Sequence, residues 1–151
     1  MKNTLVVVAD LACLKAYRID DRPEFSSPRL ELVEEFHCNE AHAHLLDKVS
    51  DMSGRFPRGS APAGSGSAMS AGERHNILLE QRRRLVRQLA DRLNLLVAQA
   101  GVEHCLLAAS REIHHQLVEA LQARARDKIR KTLAADLTKV DKSELLRHFE
   151  A

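Results

Sequence analysis

The stretch Leu5-Val6-Val7-Val8-Ala9 decides the fold of this chain. A run of apolar residues with three consecutive valines is typical of a strand that is buried on both faces. Such a strand lies inside a sheet, so other strands have to flank it on each side. Asp10 ends the run. The sequence therefore predicts that residues 5–9 form the central strand of a sheet.

Two more strands are predicted shortly after the central one. They cover Leu14–Ile19 and Leu30–Phe36, with a turn at residues 20–23 between them. Proline fixes φ in such a turn, and aspartate hydrogen-bonds its own backbone. Three consecutive strands with short links indicate an antiparallel meander.

Helices and strands alternate in the second half of the chain. Leucines at helical spacing predict a long helix in which Leu85, Leu89 and Leu93 face the sheet. The predicted elements are the helix Ala71–Ala100, the strand Val102–Ala109, the helix Glu112–Ala123, the strand Ile129–Leu137 and the helix Ser143–Phe149, capped by Ser143.

The predicted order of elements defines a fold class. A strand that follows a helix can run parallel to the first strand, as we expect for Val102–Ala109. The sequence thus predicts an α/β fold with a mixed five-stranded sheet and helices packed on it. A three-stranded meander plus two strands joined by helical crossovers matches the ribonuclease-H-like architecture.

Composition excludes several classes of protein. The chain has 151 residues, 44% hydrophobic and 29% charged, which suits a single domain over residues 1–151. Aromatic residues make up only 3%, which disfavours a binding surface of stacked rings. No apolar run approaches the ~20 residues of a membrane span. The three cysteines form no CxxC pair, so a reduced, cytoplasmic protein without membrane insertion is expected.

Residues 53–72 differ in composition from the rest of the chain. They include five glycines, two prolines and five serines. A segment of this kind buries too little apolar surface to offset the entropy of ordering it. We expect a mobile loop within the domain.

Arginines concentrate around that loop and the start of the long helix. Residues 72–100 carry six arginines against three acidic residues, whereas the whole chain has a net charge of only +2. Guanidinium groups match the geometry of phosphates. The candidate RNA-binding residues are Arg55, Arg58, Arg74, Arg82, Arg83 and Arg84.

A histidine-rich segment follows the third predicted strand. His37, Cys38, His42 and His44 are candidate metal ligands, because Cys38 and His42 would lie one turn apart on a helix. No matching ligand pair occurs elsewhere in the sequence. A polar connection with surface histidines is the other interpretation.

Carboxylates at strand ends raise the question of a nuclease. Two-metal catalysis needs several carboxylates converging on Mg²⁺ ions. Asp10, Asp51 and Asp136 are candidates, but residues 5–9 hold no carboxylate. We expect these aspartates to cap turns and helices. Cys105, inside a strand, is expected to be a small core residue.

Three segments resemble the bacterial host-attachment protein family. They are VVVADLACLKAYRID at residues 6–20, SDMSGRF at 50–56 and AADLTKVDKSELLRHF at 134–149. That family is related to the middle domain of archaeal and eukaryotic peptide-release factors, where a glycine-rich loop precedes a helix that starts with Arg-His-Asn. Here the triplet is Arg74-His75-Asn76. The release-factor Gly-Gly-Gln triplet is missing, so the resemblance implies the fold and a ribosomal surface, but no peptidyl-tRNA hydrolysis.

The leading hypothesis is therefore a non-enzymatic binding module. It would contact the ribosome or a structured RNA through the basic loop and helix start, and it would need no cofactor. The alternative is a protein–protein interaction factor linked to host-cell attachment. A metal-dependent hydrolase is the third hypothesis.

Overall fold

A computed structural model describes residues 2–38 and 71–151. The predicted loop at 53–72 lies almost wholly outside the described residues. So do four of the candidate side chains, namely Arg55, Arg58, His42 and His44, together with Asp51.

Five strands form one mixed sheet. They are β1 (Thr4–Ala9), β2 (Cys13–Asp20), β3 (Arg29–His37), β4 (His104–Ala109) and β5 (Ile129–Ala134). Their order across the sheet is β3-β2-β1-β4-β5. β2 is antiparallel to both β1 and β3, whereas β4 is parallel to both β1 and β5. The predicted central strand and its parallel neighbour are confirmed.

Helices α1 (Ala71–Ala98), α2 (His114–Ala120) and α3 (Ala123–Lys128) pack on one face of the sheet. Leu85, Leu89 and Leu93 of α1 are buried there, as predicted. α1 ends two residues earlier than expected, and Gly101 follows with a φ of 89°. That left-handed conformation favours glycine. None of the described helices is long and apolar enough to cross a membrane.

Helix α4 (Lys142–Glu150) covers the other face. Its Leu145 and Phe149 pack in a cluster that contains Val6 and Val8 of β1. Leu5 and Val7 point instead to the face beneath α1. Successive residues of β1 thus enter two different cores, which is why the strand reads as a continuous apolar run.

Other predicted boundaries are wrong as well, and β4 begins at His104 rather than at Val102. The helix predicted at 112–123 is two helices, since Leu121 and Gln122 between them are extended. β5 ends at Ala134, three residues early. Ser143 does not cap α4: the cap is Asp141, whose Oδ1 accepts hydrogen bonds from N and Oγ of Ser143 at 2.8 and 2.7 Å.

Candidate functional site

The first half of α1 carries the described part of the arginine set. Arg74, Arg83 and Arg84 are exposed, whereas Arg82 is half-buried. Successive residues of an α-helix are turned by about 100°. Three consecutive arginines therefore project in three directions, and the structure does not gather Arg82, Arg83 and Arg84 on one surface.

A groove between α1 and α2 brings a different pair of arginines together. Arg83 and Arg87 both line it, and its volume is about 490 Å³. The buried side chains of Val86 and Ala90 belong to the same lining, and Gln116 contributes from α2. Sequence reasoning missed Arg87, although its spacing of four residues from Arg83 was a readable signal for one helix face.

The acidic residues in the lining of this groove equal its two arginines in number, so the lining has no net formal charge. Arg83 lies 4.0 Å from Glu80, and both side chains are well exposed, so the ion pair is weak. Asp91 and Glu119 also belong to the lining. Glu119 lies 3.5 Å from His115.

Another arginine of α1, Arg92, contacts the edge strand β3. Arg92 forms an ion pair with Glu34 of β3, and its guanidinium lies 6.0 Å from the centre of the Phe36 ring. The Glu34 side chain is only 19% exposed, so solvent screens this pair less than a surface pair. Arg92 therefore contributes to packing of α1 against β3.

Two of the candidate carboxylates meet beyond the end of β1. Oδ1 of Asp10 accepts hydrogen bonds from the backbone N–H groups of Ala12 and Cys13 at 2.7 and 2.8 Å. The hydroxyl of Thr138 lies between Oδ2 of Asp10 and Oδ1 of Asp136, at 3.1 and 2.6 Å. The expected capping role of Asp10 is thus confirmed, because its carboxylate closes the β1–β2 turn.

An open depression of about 560 Å³ borders these carboxylates. Ser110, Arg111 and Glu112 line it together with Asp10 and Asp136. Across residues 2–38 and 71–151, no group of three or more His, Cys, Asp and Glu side chains is arranged to hold a metal ion.

His37 and Cys38 do not converge. Nε2 of His37 lies 2.9 Å from Oε1 of Glu35 on the exposed strand β3. Cys38 is buried in the core beneath α1, and its N–H donates to the carbonyl of Ala12 at 2.7 Å. Burial, and to a lesser extent the charge of Asp10, raises the pKa of the Cys38 thiol. A protonated, buried thiol is a poor metal ligand.

Cys105 lies at the centre of the sheet and is fully buried, as predicted for a core residue. Burial raises the pKa of its thiol to about 12. The thiolate that a nucleophile requires is therefore absent at neutral pH.

Two lysines that sequence reasoning did not single out hold helix ends. Nζ of Lys128 donates to the carbonyls of Val97 and Val102, both at 2.9 Å. Nζ of Lys131 donates to the carbonyls of Phe149 and Ala151 at 2.6 and 2.9 Å. The sequence shows both lysines, but it does not show the carbonyls that they bind, which are 18 to 31 residues away.

The sequence model of a family described as "Protein required for attachment to host cells" matches residues 5–149. That span runs from the second residue of β1 to Phe149 near the end of α4, so it includes all five strands. No curated protein matches the chain.

Proposed function

The chain belongs to the family of proteins required for attachment to host cells, and we propose that it serves attachment as a non-enzymatic, RNA-binding protein. Its binding surface is the groove between α1 and α2, where Arg83 and Arg87 lie. The proposed partner is the phosphate backbone of the ribosome or of a structured RNA, and the proposed location is the cytoplasm.

One observation carries the proposal: Arg83 and Arg87 line the same groove, with the amide side chain of Gln116 beside them. The two arginines are one helical turn apart, a rise of about 6 Å. Two guanidinium forks at this separation can hold neighbouring phosphates. Arg74 and Arg84 are also exposed, on other sides of the same helix. Contacts of this kind position a nucleic-acid backbone without reading its bases.

The state of the strand-end carboxylates supports binding rather than hydrolysis. Oδ1 of Asp10 accepts hydrogen bonds from two backbone amides, and the Thr138 hydroxyl lies 3.1 Å from its Oδ2. A metal-dependent hydrolase needs such carboxylates for its cation. Here Asp10 closes a turn, and a cation would have to compete with those hydrogen bonds.

The sheet supports a more specific assignment of the fold. We propose the ribonuclease-H-like architecture and a relation to the release-factor middle domain. The order β3-β2-β1-β4-β5, with two antiparallel and two parallel pairings, supports the first part. The start of α1 beside the Arg74-His75-Asn76 triplet supports the second.

A double charge reversal tests the RNA proposal. Arg83→Glu with Arg87→Glu should abolish co-sedimentation with ribosomes and weaken binding of a structured RNA at low salt. It should also flatten the slope of log binding constant against log salt by roughly 0.7–0.9 per lost phosphate contact. Arg147→Glu on α4 is the matched control, because Arg147 is an exposed arginine on the opposite face of the sheet. RNA association unchanged by the double reversal would overturn the proposal.

A protein partner is the second candidate. β3 forms one edge of the sheet and exposes Leu32 and Val33 by 47% and 38%. An edge strand offers backbone hydrogen bonds to another chain. Loss of a protein partner on Leu32→Lys, with RNA association absent from the native protein, would favour this candidate.

A further inference from the structure

A second depression lies further along α1, where the end of that helix meets α3. Its volume is about 230 Å³. The polar side chains in its lining are those of Asn94, Gln122, Arg124 and Lys128, and no acidic residue from the described ranges 2–38 and 71–151 belongs to it. It differs in this from the groove at Arg83, whose lining includes Asp91 and Glu119.

Lys128 gives this depression a fixed positive charge. Two hydrogens of its ammonium are bound by the carbonyls of Val97 and Val102. An ammonium has three hydrogens, so one remains for a ligand. The carbonyl of Val97 belongs to the last turn of α1, the negative end of the helix dipole. Lys128 thus offsets the charge that would otherwise repel an anion there.

Asn94 is oriented by the break between α2 and α3. Its Oδ1 accepts a hydrogen bond from the backbone N–H of Gln122 at 3.1 Å. This bond fixes which end of the amide faces the backbone, and both hydrogens of Nδ2 are left as donors. Arg124, two residues after Gln122, adds an exposed guanidinium.

We propose that this depression binds a phosphate group, held by the guanidinium of Arg124, the third hydrogen of Lys128 and the Nδ2 donors of Asn94. Its volume is below the ~300 Å³ at which pockets for larger organic ligands begin, and it suits one phosphate with a few waters. Each of these three groups donates hydrogen bonds, and the unprotonated oxygens of a phosphate accept them.

The assignment of this phosphate to an RNA strand rests on the proposed function. Asn94 follows Arg87 by seven residues, a rise of about 10 Å along α1. An RNA strand that lies over Arg83 and Arg87 can therefore bring a further phosphate to this depression. Free inorganic phosphate has the same chemistry, so the experiment includes both.

The test titrates inorganic phosphate into the nitrogen-labelled protein and follows the side-chain amide resonances of Asn94 and Gln122. Saturable shifts of both are expected. Arg124→Gln should weaken phosphate binding about tenfold, the usual effect of losing a charged hydrogen bond. Arg126→Gln is the matched control, since Arg126 is exposed on the same helix and outside the lining. Lys128 is left intact because it also holds two carbonyls.

No saturable shift, or an equal loss of phosphate affinity in Arg124→Gln and Arg126→Gln, would overturn the phosphate site.

A parallel measurement of RNA binding distinguishes failure of the phosphate site from failure of the RNA-binding function. If Arg83→Glu with Arg87→Glu abolishes RNA binding while inorganic phosphate still shifts Asn94, both proposals stand. If RNA binding is absent from the native protein and the phosphate shifts persist, the site stands and the RNA function fails. If Arg124→Gln alters neither phosphate nor RNA binding, only the phosphate site fails.

Discussion

Oγ1 of Thr138 lies 3.1 Å from Oδ2 of Asp10, although 128 residues separate the two in sequence. The same oxygen lies 2.6 Å from Oδ1 of Asp136. One hydroxyl hydrogen cannot be donated to both carboxylates at once, and the shorter distance assigns it mainly to Asp136. Thr138 itself is 4% exposed. The end of the central strand and the turn that leads to α4 thus share one buried donor.

Thr138→Val should lower the free energy of unfolding by ~1–3 kcal/mol. The side chain keeps its shape, but two carboxylates lose their shared donor in a partly buried place. Urea denaturation measures the effect. Thr132→Val on β5 is the control, because Thr132 is exposed. Equal stabilities of the two variants would contradict the role of Thr138.

Lys131→Met should loosen α4 while the sheet persists. The variant removes the ammonium that binds the carbonyls of Phe149 and Ala151 at the end of that helix. Charged groups at a helix C-terminus stabilise it by ~0.3–2 kcal/mol. Hydrogen exchange of the α4 amides should therefore accelerate severalfold. Lys139→Met, at an exposed position, should leave that exchange unchanged; faster exchange in both variants would argue against the cap.

Leu89→Ala should destabilise the protein by ~2–5 kcal/mol, the usual range for a buried leucine. Leu89 is 0% exposed in the core between α1 and the sheet. The control on the same helix is Leu95→Ala, since Leu95 is 62% exposed. Guanidinium denaturation compares the two. A loss below 1 kcal/mol for Leu89→Ala would mean that this core is not closely packed.

Cys105 should make stability fall at alkaline pH. Its thiol pKa is about 12 in the folded protein, against an ordinary value of 9.0. Above pH 9 the unfolded chain loses this proton first, so unfolding becomes easier as the pH rises. The slope approaches ~1.4 kcal/mol per pH unit. The slopes of stability against pH for the native protein and for Cys105→Ala should therefore differ most between pH 9 and 12; parallel curves would contradict the prediction.

The sheet was predictable because β1 is a continuous apolar run and the leucines of α1 follow a helical period. The break at Leu121 was not, because Leu117, Val118 and Leu121 continue a helical spacing and no glycine or proline marks the end. Leu121 is 3% exposed, so its burial fixes the extended backbone there. Local pattern cannot report such a tertiary constraint.

The candidate surface was only partly predictable. The triplet Arg82–Arg84 dominates the sequence, yet helical rotation separates its members, and Arg87 is the one that shares the groove with Arg83. The sequence did not single out Arg124 and Lys128 as binding residues, because residues 101–151 have nine basic and eight acidic residues and almost no net charge. The positions of charged residues indicate a binding surface only when the fold shows which of them line the same depression.

The parallel pairing of β1 with β4 has a consequence for synthesis. Thr4 is paired with His104 and Ala9 with Ala109, a separation of one hundred residues at each position. At ~5–20 residues per second, β1 leaves the ribosome about 5–20 s before its partner exists. During that interval the nascent chain carries an apolar strand with one unpaired edge. Completion of the sheet therefore waits until β4 has been synthesised.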